Sequence, residues 1–222
     1  MKIARYLLTV FLVILTLCLA SMLSAVLWDK VYCADFSVGT IQKAYEGIKD
    51  IKGSFAQKST IKDLKRTDTF NGTFIIKVPS KVRWQYQGEG NDTEVIVDGG
   101  LITIYQKSEK QVFKGRFDKE SYGQAPLALI GGFGSIEKEF EAKKHGQRIV
   151  LTPRGSMGSV ASVEVVPSEG DFPIGSLVII DKRSNRIEIT FKDVVLNSGI
   201  KDSAFKFTVP EGVSIYEHNQ PR

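Results

Sequence analysis

The chain has two histidines, His145 in "KKHGQR" and His218 near the C-terminus, and two cysteines, Cys18 and Cys33. A protein zinc site needs such ligands gathered at short, regular spacings. Neither histidine has carboxylates or thiols so placed, and the sequence predicts no metal site. Nucleophilic catalysis needs a serine or cysteine beside a positioned base. "GSMGS" at 155–159 is no G-x-S-x-G elbow and reads as a mobile loop. There is no G-x-G-x-x-G and no phosphate loop, so no nucleotide or other cofactor is expected. Acid pairs such as Glu137 and Glu139 fall at a helix end or strand margin, where solvation accounts for them. The sequence predicts no catalytic residue and a protein that is not an enzyme; a lipid hydrolase would lack both nucleophile and base.

What remains is apolar surface in regular order. In "GTFIIKVPSKVRWQYQGEG", residues 72–90, apolar and polar residues alternate into Trp84 and Tyr86 after a break at Pro79. Strand alternation puts Phe70, Gly72, Phe74 and Ile76 on one face, and Val82, Trp84 and Tyr86 on one face of the next strand. Phe70, Phe74, Val82, Trp84, Tyr86, Val95, Val97, Ile102, Ile104, Phe113, Phe140 and Ile149 are predicted to point inward. An ordinary packed core and an apolar binding cavity both accommodate them.

The elements that carry these residues begin with a helix in "FSVGTIQKAYEGIKDIK", where Val38, Ile41, Tyr45 and Ile48 keep helical spacing. After Gly53 the period becomes two. "SFAQKSTI", "TDTFNGTFIIK", "KVRWQY", "KQVFKGRF", "QRIVLTP", "SVASVEVVP" and "SAFKFTVP" read as strands. "TEVIVDGGLITIYQ" reads as a hairpin turning at Asp98, Gly99 and Gly100, and "SLVIIDKRSNRIEITFKDVVL" as another turning over Asp181–Arg186. A short helix is expected from Pro126 to Ile130, with proline at its start and a glycine cluster past its end. About ten strands and two helices make a mainly β protein with some α. One sheet of that size curls and needs its concave face covered; two sheets in a sandwich would cover each other.

At 222 residues, 42% hydrophobic and 25% charged, the chain suits one ordinary domain. Lys2 and Arg5 precede an apolar run from Tyr6 to Trp28, the layout of an export signal. The run is also long enough to span a bilayer, so residues 1–34 are expected to be a signal peptide or a membrane anchor, and 35–222 the folded domain. A domain beginning at Asp35 would have no cysteine and hence no disulfide. The net charge of +5 is small, and nucleic-acid binding is not expected.

The order of motifs is the last signal. A leading helix, then "GSFAQ", "NGTFIIKVPSKVRWQY", "VIVDGGLITIYQ", "QVFKGRF", "APLALIGGF", "IVLTP", "LVIIDKRSNRIEITFKDV" and "FKFTVPEGVSI" resembles the LolA family of periplasmic lipoprotein carriers, in register from about Asp35 to Ile215. The resemblance implies an open, strongly curved antiparallel sheet, a half-barrel, covered by a helical lid. It implies a monomer that holds lipoprotein acyl chains in a cavity lined by Phe70, Phe74, Val82, Trp84, Tyr86, Val95, Val97, Ile102, Ile104 and Phe140. Leu127, Leu129 and Ile130 would face in from the lid, with Gly131, Gly132 and Gly134 as its hinge. The partners implied are an inner-membrane ABC transporter (LolCDE-like) and an outer-membrane acceptor (LolB-like), with no cofactor. Many members place an arginine before the proline of the "VPSKVRW" segment, where it latches the lid; here that residue is Val78. Arg83 matches a second basic position of the family but is expected to point away from Trp84's face. A relative carrying a glycolipid or another lipid, or one that senses lipoproteins, stays open beside the carrier.

Overall fold

The structure, a computed structural model, describes residues 36–88, 92–117, 136–168 and 170–218. The helix and hinge expected over Pro126–Gly134, and the leader, lie outside the described residues. From Phe36 onward the chain forms a compact unit of its own.

Helix α1 (Val38–Glu46) opens the unit. Ser37 caps it: its hydroxyl accepts the Thr40 N–H at 3.2 Å, and the Thr40 hydroxyl accepts the Ser37 N–H at 2.9 Å, satisfying two N–H groups that a helix start leaves open. Ile41 and Tyr45 are buried, and Ile48, just past the helix end, still reaches the core. The strands that follow are β1 (Asp50–Ile61), β2 (Arg66–Lys77), β3 (Lys81–Gln87), β4 (Thr93–Asp98), β5 (Leu101–Gln106), β6 (Gln111–Arg116), β7 (Phe140–His145), β8 (Arg148–Pro153), β9 (Val160–Pro167), β10 (Ile174–Asp181), β11 (Arg186–Leu196) and β12 (Ser214–His218). A four-residue helix α2 (Ile136–Glu139) precedes β7.

All twelve strands belong to one sheet, in the order β12-β6-β5-β4-β3-β2-β1-β11-β10-β9-β8-β7. There is no second sheet among the described residues, which decides against the sandwich. The sheet is open: β12 and β7 are its edges. Pairing is antiparallel except for β12, which runs parallel to β6. Register irregularities at Lys52/Ser54, Ile174/Ser176 and Ile180/Asp181 are the kind of local break that bends strands and adds twist.

The predicted hairpins form as expected: Asp98 pairs with Leu101 across Gly99 and Gly100, and β10 and β11 meet across Asp181–Arg186. The structure departs from the sequence-based expectations in three places. "SAFKFTVP" is not a strand. Asp202–Phe205 is a 3-10 turn, because Phe205 is drawn into a buried site on the outer face (1% exposed) and Phe207 packs on Tyr105, centroids 5.4 Å apart. The last strand is instead β12, and β7, "FEAKKH", has only Phe140 buried, too little alternation to read from sequence. In "GSMGS", expected to be a mobile loop, Met157 at the centre is buried in the core at 3% exposure.

Behind the inner face, the chain after β11 is tied down by charge and hydrogen bonds. Asp50, at the start of β1, accepts the N–H of Ser198 (2.7 Å), the Ser198 hydroxyl (3.0 Å) and the N–H groups of Gly199 (3.1 Å) and Ile200 (3.3 Å). Asp202 pairs with Lys77 and Lys81, and Asp98 with Lys81 and Lys206.

Candidate functional site

The floor of the candidate site follows from register. Phe74 pairs with Trp84, Trp84 with Val95, Val82 with Val97, Val95 with Ile104 and Val97 with Ile102. Directly opposed residues share a face, so these side chains project from one side of the sheet. Tyr86 faces the same way, opposite Gly72, as does Phe70, opposite Gln57. At the far side, Phe140 enters the same face through β7 and β8, beside Ala142 and Leu151. All ten predicted residues therefore lie on the inner face. Phe74, Val82, Trp84, Val95, Val97, Ile102 and Phe140 belong to the buried core, while Tyr86 and Ile104 pack against it half-buried. Phe70 touches Tyr86, ring centroids 5.8 Å apart. Phe113 shares the face too, opposite Ile104, but is exposed and stacked on Tyr216 at 5.2 Å.

The face is covered unevenly. A chain of rings, Tyr45–Phe172 (6.3 Å), Phe172–Phe191 (5.9 Å) and Phe191–Phe74 (5.5 Å), fixes α1 and the β9–β10 segment over the middle strands. Such tilted and edge contacts suit the ring quadrupoles. Toward the end of the sheet where β1 turns into β2, Phe70 and Tyr86 are only half-buried. Trp84, between the two regions, is completely enclosed.

No charged side chain enters the floor over residues 70–76, 82–86, 95–97 and 102–106; the charges of β3 and β4 go to the opposite face. There Arg83 Nε donates to Glu94 Oε1, Arg83 Nη1 to the Ala204 carbonyl at 2.8 Å, and Gln85 Nε2 to Glu94 Oε1 at 2.7 Å. Arg83 thus points away from Trp84 as expected, and pins the 3-10 turn. Val78 packs against the inner core and uses only its backbone, donating to the Lys49 carbonyl at 3.1 Å.

Sequence reasoning missed the polar spot in this floor. Gln57 is buried on the inner face of β1 at 8% exposure; it accepts from the Tyr86 hydroxyl (3.1 Å) and donates to Ser59 Oγ (3.0 Å). The signal was present, since Phe55, Gln57 and Ser59 alternate in "SFAQKSTI". Burial pushes the Tyr86 phenol above its ordinary pKa, opposed first by the adjacent Trp84 indole and then by Gln57. Burial likewise raises Tyr45 well above its usual value, so both phenols stay neutral. Trp84 Nε1 is buried and has no hydrogen-bond partner among the described residues, a donor left unused at some cost. The described residues hold no group of His, Cys, Asp or Glu that could bind a metal. A separate cavity of about 230 Å³ at the β5–β6–β12 edge shares only Ile102 with the floor and mixes Leu101, Ile102, Thr103 and Gly115 with Lys114, Arg116 and Glu217.

A family model described as "Outer membrane lipoprotein carrier protein LolA" matches residues 46–208, from the end of α1 through the 3-10 turn. The chain belongs to the LolA family. LolA-family relatives named "Outer-membrane lipoprotein carrier protein" include one from Cupriavidus pinatubonensis, 28% identical over 183 residues, covering 79% of this chain and 84% of its own. Another, from a serogroup C strain of Neisseria meningitidis, is 27% identical over 170 residues, covering 74% and 79%. Among solved structures, a DUF1329 family protein from Desulfovibrio piger superposes with a TM-score of 0.51 at 8% identity, over 76% of this chain and 94% of its own. That likeness speaks for the fold, the same open sheet that the LolA resemblance implies.

Proposed function

We propose that this protein is a periplasmic carrier that shelters the acyl chains of a lipoprotein on the inner face of its sheet and moves them from the inner to the outer membrane. The observation that carries the reading is the floor itself: an apolar face free of charged side chains on a single open sheet, left half-open at the Phe70–Tyr86 end, with no second sheet packed on it among the described residues. Each methylene of an acyl chain taken out of water there is worth roughly 0.8 kcal/mol. Phe70, Phe74, Val82, Trp84, Tyr86, Val95, Val97, Ile102, Ile104 and Phe140 line the binding surface. The half-buried Tyr86, with Gln57 behind it, supplies the polar spot nearest the open end of the floor, where the ester or amide groups of the cargo would lie. An inner-membrane ABC transporter would load the carrier and an outer-membrane acceptor would unload it.

Family membership and the names of the relatives support this reading. Val78 favours a second one. Val78 stands where the resemblance implies a lid-latching arginine, so lid closure would have to rest on other residues, which suits a family member that carries a glycolipid or another lipid. Purifying the unit from cells and analysing what it retains by native mass spectrometry tests both. Triacylated protein is the expected result, free glycolipid would favour the second reading, and an empty protein under gentle extraction would argue against either.

A further inference from the structure

The end of the sheet at which Phe70 and Tyr86 become half-exposed carries a feature that holding cargo does not require. The β1–β2 turn is tight, its Lys65 N–H donating to the Lys62 carbonyl at 3.1 Å, and at its apex Leu64 is 67% exposed, the highest value for any large apolar side chain among the described residues. A lone exposed leucine means nothing by itself. This one is held in a hydrogen-bonded, basic setting. The Lys62 N–H donates to Asn185 Oδ1 at 3.0 Å, joining the β1–β2 turn to the β10–β11 turn. Asn185 is in turn held by the Asp181 carboxylate, which accepts its backbone and side-chain N–H groups and the Arg183 N–H, each at 2.8 Å.

The charges of this rim are unbalanced. Asp181 is occupied inside its own turn, Arg66 is paired with Asp68 and Arg186 with Glu188. Lys62, Lys65, Lys182 and Arg183 are exposed and have no ion-pair partner among the described residues, with Asp63 the acid beside them. An apolar tip ringed by free cations suits an anionic bilayer. The surface potential attracts each cation without demanding fixed geometry, and the tip enters a medium that needs no preformed pocket. A docking pocket on an acidic protein would ask for a wider apolar patch than one side chain.

We propose that the rim formed by the β1–β2 and β10–β11 turns is a membrane-contacting surface, in which Leu64 inserts between anionic lipid headgroups while Lys62, Lys65, Lys182 and Arg183 bind their phosphates. It places the half-open end of the apolar floor toward the bilayer. The inference does not depend on the identity of the cargo, so it stands or falls separately from the carrier reading.

The test uses residues 36–222, the compact unit that holds all the described core residues. Co-sedimentation is measured with phosphatidylcholine vesicles and with vesicles containing phosphatidylglycerol. Binding is expected only to the anionic vesicles and is expected to weaken as salt rises. Leu64→Ser is expected to weaken it about tenfold, and Lys182→Ala or Arg183→Ala about fivefold each, all with unchanged melting curves because these side chains are exposed. Lys192→Ala, on β11 away from the rim, is the control and should bind as the parent does. Equal binding to neutral vesicles, indifference to Leu64→Ser, or no binding to anionic vesicles at low salt overturns the proposal; the last result would leave the rim cations to an acidic protein partner.

Discussion

The ring of Phe55 lies over Gly72, its register partner across β1 and β2. A Cβ built on Gly72 would stand 2.6 Å from that ring and 2.1 Å from the Gln85 carbonyl oxygen on β3. The glycine is thus where three strands close up beneath an aromatic side chain, and Tyr86, opposite Gly72, meets the same ring edge-on at 5.5 Å. Gly72→Ala must displace backbone as well as ring. The expected loss is about 1–3 kcal/mol, read as a lower urea midpoint with an unchanged slope. A midpoint equal to the parent's would mean that β2 and β3 are further apart than described.

Phe70 stands at the half-open end of the floor, where a charge can reach water without breaking the core. Phe70→Glu is expected to leave the circular dichroism spectrum and the melting curve nearly unchanged while reducing retained acyl cargo at least about tenfold, since a carboxylate beside hydrocarbon must be desolvated or protonated. Mass spectrometry of the purified variant checks it. Trp84 is a worse place for this experiment: it is wholly enclosed, and a glutamate there would cost folding as well as binding.

Much of this face was legible in advance because a strand's period of two is strict: once "TFNGTFIIK" and "KVRWQY" are strands, the common side of Phe70, Phe74, Val82, Trp84 and Tyr86 follows. The same rule failed for "SAFKFTVP". Its alternating Phe205 and Phe207 fit a strand, yet Phe205 is captured by the outer face and Phe207 by Tyr105, contacts set by tertiary packing. β7 was invisible for the opposite reason, with charges on both sides at a sheet edge. Gln57 was overlooked because a polar residue within an apolar alternation reads as an outward position; only the Tyr86 hydroxyl, distant in sequence, accounts for its burial.

Val78 tests the latch. Its side chain packs on the inner core and its N–H is already engaged by Lys49, so arginine there would direct a long cation from the same backbone site. Val78→Arg is expected to slow cargo exchange several-fold, measured as transfer of a fluorescent acyl probe to acceptor vesicles. Unchanged exchange would show that closure in this protein does not depend on that position.

The last prediction concerns acid. Asp50 is buried, which by itself would raise its pKa, but the hydrogen bonds from Ser198, Gly199 and Ile200 outweigh this and hold it below the ordinary carboxylate value. Asp98, hydrogen-bonded by Lys81 and then Lys206, and Asp202, hydrogen-bonded by Lys77 and then Lys81, are lowered as well. A carboxylate that is more acidic folded than unfolded contributes its full stability above the unfolded pKa, near 4, and loses it as pH falls through the folded value. Stability should therefore be flat from neutral pH down to about 5 and fall steeply below about 4. Asp50→Asn keeps the shape of the side chain but replaces one acceptor oxygen by a donor facing other donors. It should lower the melting temperature at pH 7 by an amount on the order of 5 °C and make the acid decline shallower. Calorimetry of both proteins across that range decides it: parallel pH profiles would mean that the charge on Asp50 does not anchor the 197–200 loop to the start of β1.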